Sequence, residues 1–182
     1  MKTAILVIDM LNDYFQDGRL VEFREILCSR INDLTDWCRE IGFDIIWVRQ
    51  EFKEDLSDAF LIMREKSIYK TIEKTAGSQI LNELVRQEND YEIVKKRYSA
   101  FYNTNLDEIL NRNKTQQLII CGINTHACVR MTAIDSYQRD LKVIIATDCV
   151  NSYDEDHHNI SLRYLGKGIS SLMSNKEIKN KY

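Results

Sequence analysis

The sequence predicts an α/β protein: a three-layer α/β/α sandwich of Rossmann-like type around a central, mostly parallel sheet of six strands. Short runs rich in Ile, Val and Leu recur along the chain, as expected of strands covered on both faces. Longer stretches between them place apolar residues at three- and four-residue steps. Runs and stretches alternate, which implies parallel strands joined by crossover helices.

AILVI (4–8) is the first such run. Residues 20–39 read as a helix, because Ile26, Leu27, Ile31, Leu34, Trp37 and Cys38 recur on one side. Gly42 ends it, and DIIWV (44–48) is the second strand. Residues 51–75 are polar, with small apolar clusters and no clean period, and read as a long insert that covers or flanks a site. Gly77 and Ser78 open a short helix, SQILNEL. YEIVKK (91–96) is the third strand. Leu106, Ile109 and Leu110 mark a helix with Asn105 as its N-cap. QLIICG (117–122) is the fourth strand, a helix follows over 125–139 with Thr125 as cap, and KVIIAT (142–147) is the fifth strand. Residues 157–165 read as helix and 168–172 as a sixth strand. Ser174 and Glu177 fit a capping box for a final helix.

Composition narrows the function classes. The 182 residues suit one domain, 1–182. With 25 basic and 28 acidic residues the net charge is −3, which argues against a dedicated nucleic-acid or anionic-membrane binder. No apolar run approaches the roughly 18 residues of a membrane span. The opening MKTAILVIDM has too short an apolar core for a signal peptide, since Asp9 interrupts it, so a cytoplasmic location is expected. The five cysteines are odd in number, widely spaced and without C-x-x-C, so neither a disulfide framework nor a cysteine-rich zinc site is expected.

In such folds ligands bind beyond the carboxyl ends of the strands, where strand order switches. The informative residues therefore follow the apolar runs: Asp9, Arg49 and Gln50, Lys95 and Lys96, GINTHAC (122–128) and Asp148. Cys128 falls at the third position of a helix if Thr125 is the cap, where free N–H groups favour a thiolate and can hold an oxyanion. Asp9 is placed to act as its general base, and Lys95 brings a positive charge to the pair. These are the parts of an acyl-transfer site without a catalytic histidine. His126 lies two residues before Cys128, and side chains two apart on a helix point away from each other, so it is not the base.

ILVIDMLNDYF (5–15), KKRYSAFYNTNLDEIL (95–110) and LIICGINTHACVRMTAIDSYQRDLKVIIATDCVNSYDEDHH (118–158) resemble the isochorismatase-like cysteine hydrolases. The same blocks, in this order and spacing, occur in nicotinamidases, N-carbamoylsarcosine amidases and ureidoacrylate hydrolases. The resemblance implies the isochorismatase-like hydrolase fold, strand order 3-2-1-4-5-6, and a catalytic Asp9–Lys95–Cys128 triad. It also implies a non-proline cis peptide between Ile123 and Asn124, and an oxyanion hole from the amides of Asn124 and Cys128. The implied reaction is cleavage of an amide or ureido C–N bond of a small molecule through a Cys128 thioester, with no cofactor. A dimer or tetramer is expected on the same ground.

Two departures matter. Leu11 stands where the family often has Gln. Residues 49–75 contain no histidine, whereas nicotinamidases draw a metal site from Asp and His there, so no metal is expected. Isochorismatases cleave a vinyl ether and can lack the cysteine; Cys128 therefore favours amide chemistry, with vinyl-ether hydrolysis as the alternative. The sequence is also compatible with a non-catalytic binding protein, and with a redox thiol protein in which Cys121 or Cys149 comes close to Cys128. For the substrate pocket the expected residues are Phe15, Arg49, Gln50, Tyr98, Phe101 and Asn124, with Tyr102 beside them. Arg49 would suit a carboxylate-bearing substrate.

Overall fold

Six strands form a single sheet in a computed structural model that describes residues 1–182. They are β1 (Thr3–Ile8), β2 (Asp44–Gln50), β3 (Tyr91–Lys95), β4 (Gln117–Gly122), β5 (Lys142–Val150) and β6 (Ser171–Met173). Their order is β3-β2-β1-β4-β5-β6, and every neighbouring pair is parallel. The helices are α1 (Arg19–Glu40), α2 (Leu61–Glu65), α3 (Leu106–Arg112), α4 (Arg130–Tyr137), α5 (Glu155–Leu165) and α6 (Asn175–Lys181).

Central position explains the composition of β1. All six of its residues are buried, because strands flank it and helices cover it. α1 packs across β1, β2, β4 and β5 and against α6, while α4 packs on β5 and α5. The inward stripe of α1 is Leu20, Leu27, Cys28, Ile31, Leu34, Thr35 and Cys38, the helical spacing its sequence carries. Each fully buried Leu or Ile contributes about 1.5–3 kcal/mol of transfer free energy.

Gly122 is required where β4 leaves the sheet. Its φ is +104°, and a Cβ there would lie 2.1 Å from the Ile8 carbonyl oxygen. This close approach joins the ends of β1 and β4, where the chain has built outward on one side and crosses to the other. Asp9 and the 123–128 loop leave the sheet side by side at that switch point.

Four local expectations are corrected. SQILNEL is not helical: only a single 3-10 turn forms at Ala76–Ser78. Ile80 instead pairs with Leu11, and the Leu81 N–H donates to the Met10 carbonyl. After β4 the chain first makes a wide five-residue turn, Thr125–Val129, before α4; Asn124, not Thr125, precedes it. Asn105 does precede α3, but its side chain makes no capping bond, and Thr104 Oγ1 accepts from the Leu106 N–H instead. The last strand runs Ser171–Met173, shorter and later than the expected 168–172, because the chain is still turning out of α5 at Gly168. The Ser174–Glu177 capping box forms as the spacing predicts.

Residues 51–75 build a small second core of Phe52, Leu56, Ala59, Met63 and Ile72, with Phe60 packed against it. Phe52 pairs with Ile72, which closes the insert into a loop beside the carboxyl ends of β2 and β3. No helix is long and apolar enough to cross a membrane.

Candidate active site

Asp9 follows β1 directly, in a left-handed conformation with φ of +53°. For a non-glycine residue this is uncommon, and Asp tolerates it better than most. Its N–H donates to the Val48 carbonyl at 2.8 Å, and its carbonyl accepts from the Leu11 N–H at 2.8 Å. The carboxylate is 1% exposed. Oδ1 accepts from the Gln50 N–H at 2.8 Å, and Oδ2 lies 2.7 Å from Lys95 Nζ.

Lys95 is the last residue of β3, in register with Gln50 of β2, and is 0% exposed. Besides Asp9, its ammonium reaches Cys128 Sγ at 3.3 Å. Burial pulls Lys95 down, but the Asp9 carboxylate beside it, with the Cys128 sulfur as a second partner, outweighs this and holds the ammonium above its ordinary value. Lys96, the next residue, points elsewhere and pairs with Asp58 at 3.0 Å.

Cys128 is 4% exposed, the fourth residue of the wide turn after β4. The expectation that a helix end favours its thiolate is corrected by its surroundings. Burial pushes the thiol up, the neighbouring Asp9 carboxylate pushes the same way, and Lys95 opposes them only in part. The resting group is a thiol.

The peptide between Ile123 and Asn124 is cis. The Asn124 side chain is tied to the loop after β5, accepting from the Tyr153 N–H at 3.2 Å and from Ser152 Oγ at 3.5 Å. The Asn124 backbone N–H donates to no backbone carbonyl. Arg19 clamps that same loop through Asn151 Oδ1 and the Ser152 carbonyl.

A cavity of about 240 Å³ opens over Cys128. Gln50, Tyr98 and Asn124 line it, as their positions after the strands predict, and Tyr98 also stacks on Phe60 at 4.9 Å. Phe15, Phe101 and Arg49 do not, which corrects three expectations. Phe15 and Phe101 belong to the main hydrophobic core, and Arg139 lies over the Phe101 ring. Arg49 faces away from Gln50, as adjacent strand residues must, and is saturated by Glu92 and Glu51. Tyr102 is exposed and outside the cavity.

Sequence reasoning missed other lining residues: Tyr14, Phe60, Lys70, Thr71 and Tyr153; His126, set aside as the base, also lines the cavity. Tyr14 donates to Gln50 Oε1 at 2.7 Å. Its phenol is raised by burial and then by the Asp9 carboxylate, which the nearby Thr71 hydroxyl opposes only in part, so it stays protonated. A phenol directly before a core aromatic was the available signal; the insert residues carried none, because their placement depends on the Phe52–Ile72 pairing. His126 contacts Ser152 Oγ through Nδ1 and packs edge-on against Tyr153 at 4.9 Å. A larger open groove of about 720 Å³ runs past Gln117, Lys142 and Ser171, at the opposite end of the strands from Cys128.

Together these groups offer a nucleophilic sulfur, an adjacent carboxylate, a fixed positive charge and a free amide around one small cavity. No three His, Cys, Asp or Glu side chains stand together in a metal-holding arrangement.

Comparison with known proteins agrees with this architecture. A probable inactive nicotinamidase of Arabidopsis thaliana is 30% identical over 168 residues, covering 88% of this chain and 86% of that protein. Enterobactin synthase component B of Escherichia coli is 26% identical across 97% of this chain, which spans only 62% of that longer protein. The crystal structure of N-carbamoylsarcosine amidase from Thermoplasma acidophilum superposes with a TM-score of 0.82 at 25% identity, covering 97% of this chain and 98% of that one. The isochorismatase domain model matches residues 3–177, and the chain belongs to the isochorismatase family of hydrolases.

Proposed function

We propose that this chain is a cysteine hydrolase that cleaves an amide or ureido C–N bond of a small molecule. The observation that carries the reading is the buried Cys128 thiol at the floor of the cavity, held at 3.3 Å by an ammonium that is itself paired with Asp9.

Asp9 accepts the thiol proton as Cys128 Sγ bonds to the substrate carbonyl carbon. The carbonyl oxygen becomes an oxyanion, held by the amides of Asn124 and Cys128. When the C–N bond breaks, Asp9 returns its proton to the leaving nitrogen, and a thioester remains. Water then attacks the thioester with Asp9 again as base. The C–S bond breaks, the acid departs, and the sulfur recovers its proton. Lys95 keeps a positive charge beside both Asp9 and the sulfur throughout, which balances each anion in turn.

The similarity to N-carbamoylsarcosine amidase supports C–N chemistry, and the intact cysteine supports it over acid-catalysed vinyl-ether cleavage. The test is ammonia release from a panel of small amides, ureido acids and nicotinamide, with Cys128→Ala as the comparison. Release that disappears in Cys128→Ala is expected. Release that survives the substitution, or isochorismate turnover without any amide turnover, overturns the proposal.

A further inference from the structure

Two buried hydrogen-bonding groups on the cavity wall have no partner in the protein. Gln50 is 3% exposed, and its Nε2 bonds to nothing. Thr71 is 0% exposed, and its Oγ1, beside the Tyr14 hydroxyl, makes no hydrogen bond of good geometry. Both residues line the cavity over Cys128. A buried polar group left unsatisfied is destabilising, so each is open to a partner from outside the protein.

The polarity of that partner is set by Tyr14. Its hydroxyl donates to Gln50 Oε1 at 2.7 Å, which occupies the acceptor end of the amide and leaves the donor end free. The Thr71 backbone is equally fixed. Its N–H donates to Asp13 Oδ2 at 2.6 Å, and its carbonyl accepts from the Phe52 N–H at 2.8 Å. Gly77 keeps Asp13 in place, since a Cβ there would meet the Asp13 carboxylate at 2.2 Å.

Charge points the same way. None of the fifteen lining residues is acidic, and Lys70, next to Thr71, is the cation among them. The other cations nearby are already engaged: Lys95 with Asp9, Lys96 with Asp58, Arg49 with Glu51 and Glu92, and Arg97 with the Asp58 carbonyl. Lys70 has no carboxylate within ion-pairing distance, whereas Asp13 is held behind the wall by the Thr71 N–H and by Gln16. Phe52, Phe60, Met63 and Tyr98 supply flat and apolar walls between this polar corner and the sulfur.

We infer that the substrate is a small carboxylate-bearing amide whose carboxylate is received by Gln50 Nε2, Thr71 Oγ1 and Lys70 while its scissile carbonyl faces Cys128. The assignment of the reacting end rests on the hydrolase reading above. The anion-receiving corner is tested without turnover.

The probes are benzoate and benzyl alcohol, matched in ring size and differing in charge. The readout is protection of Cys128 from iodoacetamide, followed by peptide mass in wild type, Lys70→Met and Thr71→Val. Thermal melting confirms that each variant is folded. Benzoate is expected to half-protect Cys128 at a concentration at least about tenfold below that of benzyl alcohol. The ratio should collapse toward one in Lys70→Met and shrink in Thr71→Val. Raised salt should also shrink it in wild type, because Lys70 is exposed. Equal protection by the two probes, protection by neither, or a benzoate preference that survives Lys70→Met overturns the inference. Failure of the hydrolase reading is separate: it appears as absent Cys128-dependent ammonia release while the benzoate preference stands.

Discussion

Lys95 is a fully buried ammonium, and its dependence on Asp9 has a measurable size. Consider Asp9→Asn made in a Cys128→Ala background, so that no thiolate can take over the carboxylate's part. Lys95 Nζ then loses the carboxylate at 2.7 Å and the sulfur at 3.3 Å, the two side chains its ammonium reaches. Breaking a buried ion pair by removing one side typically costs about 3–5 kcal/mol, because the remaining charge stays desolvated. For a chain of this length each kcal/mol moves Tm by about 2–4 °C, so the double variant should melt about 6–20 °C below Cys128→Ala. The pH dependence has a definite sign. With Asp9 present, Lys95 lies above its ordinary value, so folded and unfolded chains both carry the proton up to that value. Its contribution is then flat near neutrality and is lost only as alkaline pH passes the raised value. Without Asp9, burial prevails and the folded-state value drops below the unfolded one. Between those two values the unfolded chain binds one more proton, so stability rises with pH at up to about 1.36 kcal/mol per unit. Urea denaturation of both proteins between about pH 7 and pH 9 reads this difference. A loss under about 1 kcal/mol with parallel pH profiles would refute the claim that Asp9 is what keeps a charge on Lys95.

Asp9→Asn alone should separate nucleophilicity from catalysis. Ammonia release falls by at least about 100-fold, while iodoacetamide alkylation of Cys128 at neutral pH becomes faster, because the carboxylate that raises the thiol is gone. In wild type the alkylation rate should still be climbing at about pH 10, since the thiol lies above its ordinary value. Lys96→Ala removes a half-exposed ion pair with Asp58 and should cost no more than about 1 kcal/mol with activity unchanged, in contrast to Lys95→Ala, which should abolish activity. Gly122→Ala forces a methyl onto the Ile8 carbonyl and should lower stability by about 3 kcal/mol or more, read as a shift in the urea midpoint.

The sheet was legible because buried parallel strands leave a simple trace. β1, β2, β4 and β5 are apolar runs, and the turn after each contributes or supports a site residue. Asp9, Lys95 and Cys128 could be named because strand ends converge at a switch point by rule, whereas Asn124 was implied by the family resemblance. The pocket walls were less legible, and for distinct reasons. Phe15 and Tyr14 differ by one position, and only the phase of the 3-10 turn at Asn12–Tyr14 decides which ring meets the cavity. Arg49 and Gln50 likewise differ by one step of strand alternation, and the last strand residue is fixed by pairing with Lys95 rather than by local pattern. Lys70 and Thr71 reach the site only because Phe52 pairs with Ile72, a contact between residues twenty apart with no period between them. SQILNEL has helical spacing, yet pairing of Ile80 with Leu11 satisfies its backbone across the loop instead.

The state of Cys128 follows from weighing two effects that the sequence presents together. A helix end stabilises an anion by about 0.3–1 kcal/mol, and up to about 2 kcal/mol in partly buried geometry. That is worth roughly one pKa unit. Full burial disfavours the charged form by more than a helix end can offset, and Asp9 adds to it. The larger effect wins, so the proton rests on sulfur and the charge pair at rest is Asp9 with Lys95. In the proposed reaction the turn after β4 then acts on the transition state rather than on the resting thiol: its amides would meet the oxyanion only after a carbonyl has been placed. A standing thiolate would react with any electrophile that entered the cavity. A thiol beside a carboxylate gives up its proton only as the bond to carbon forms, so reactivity is conferred by the substrate that fits.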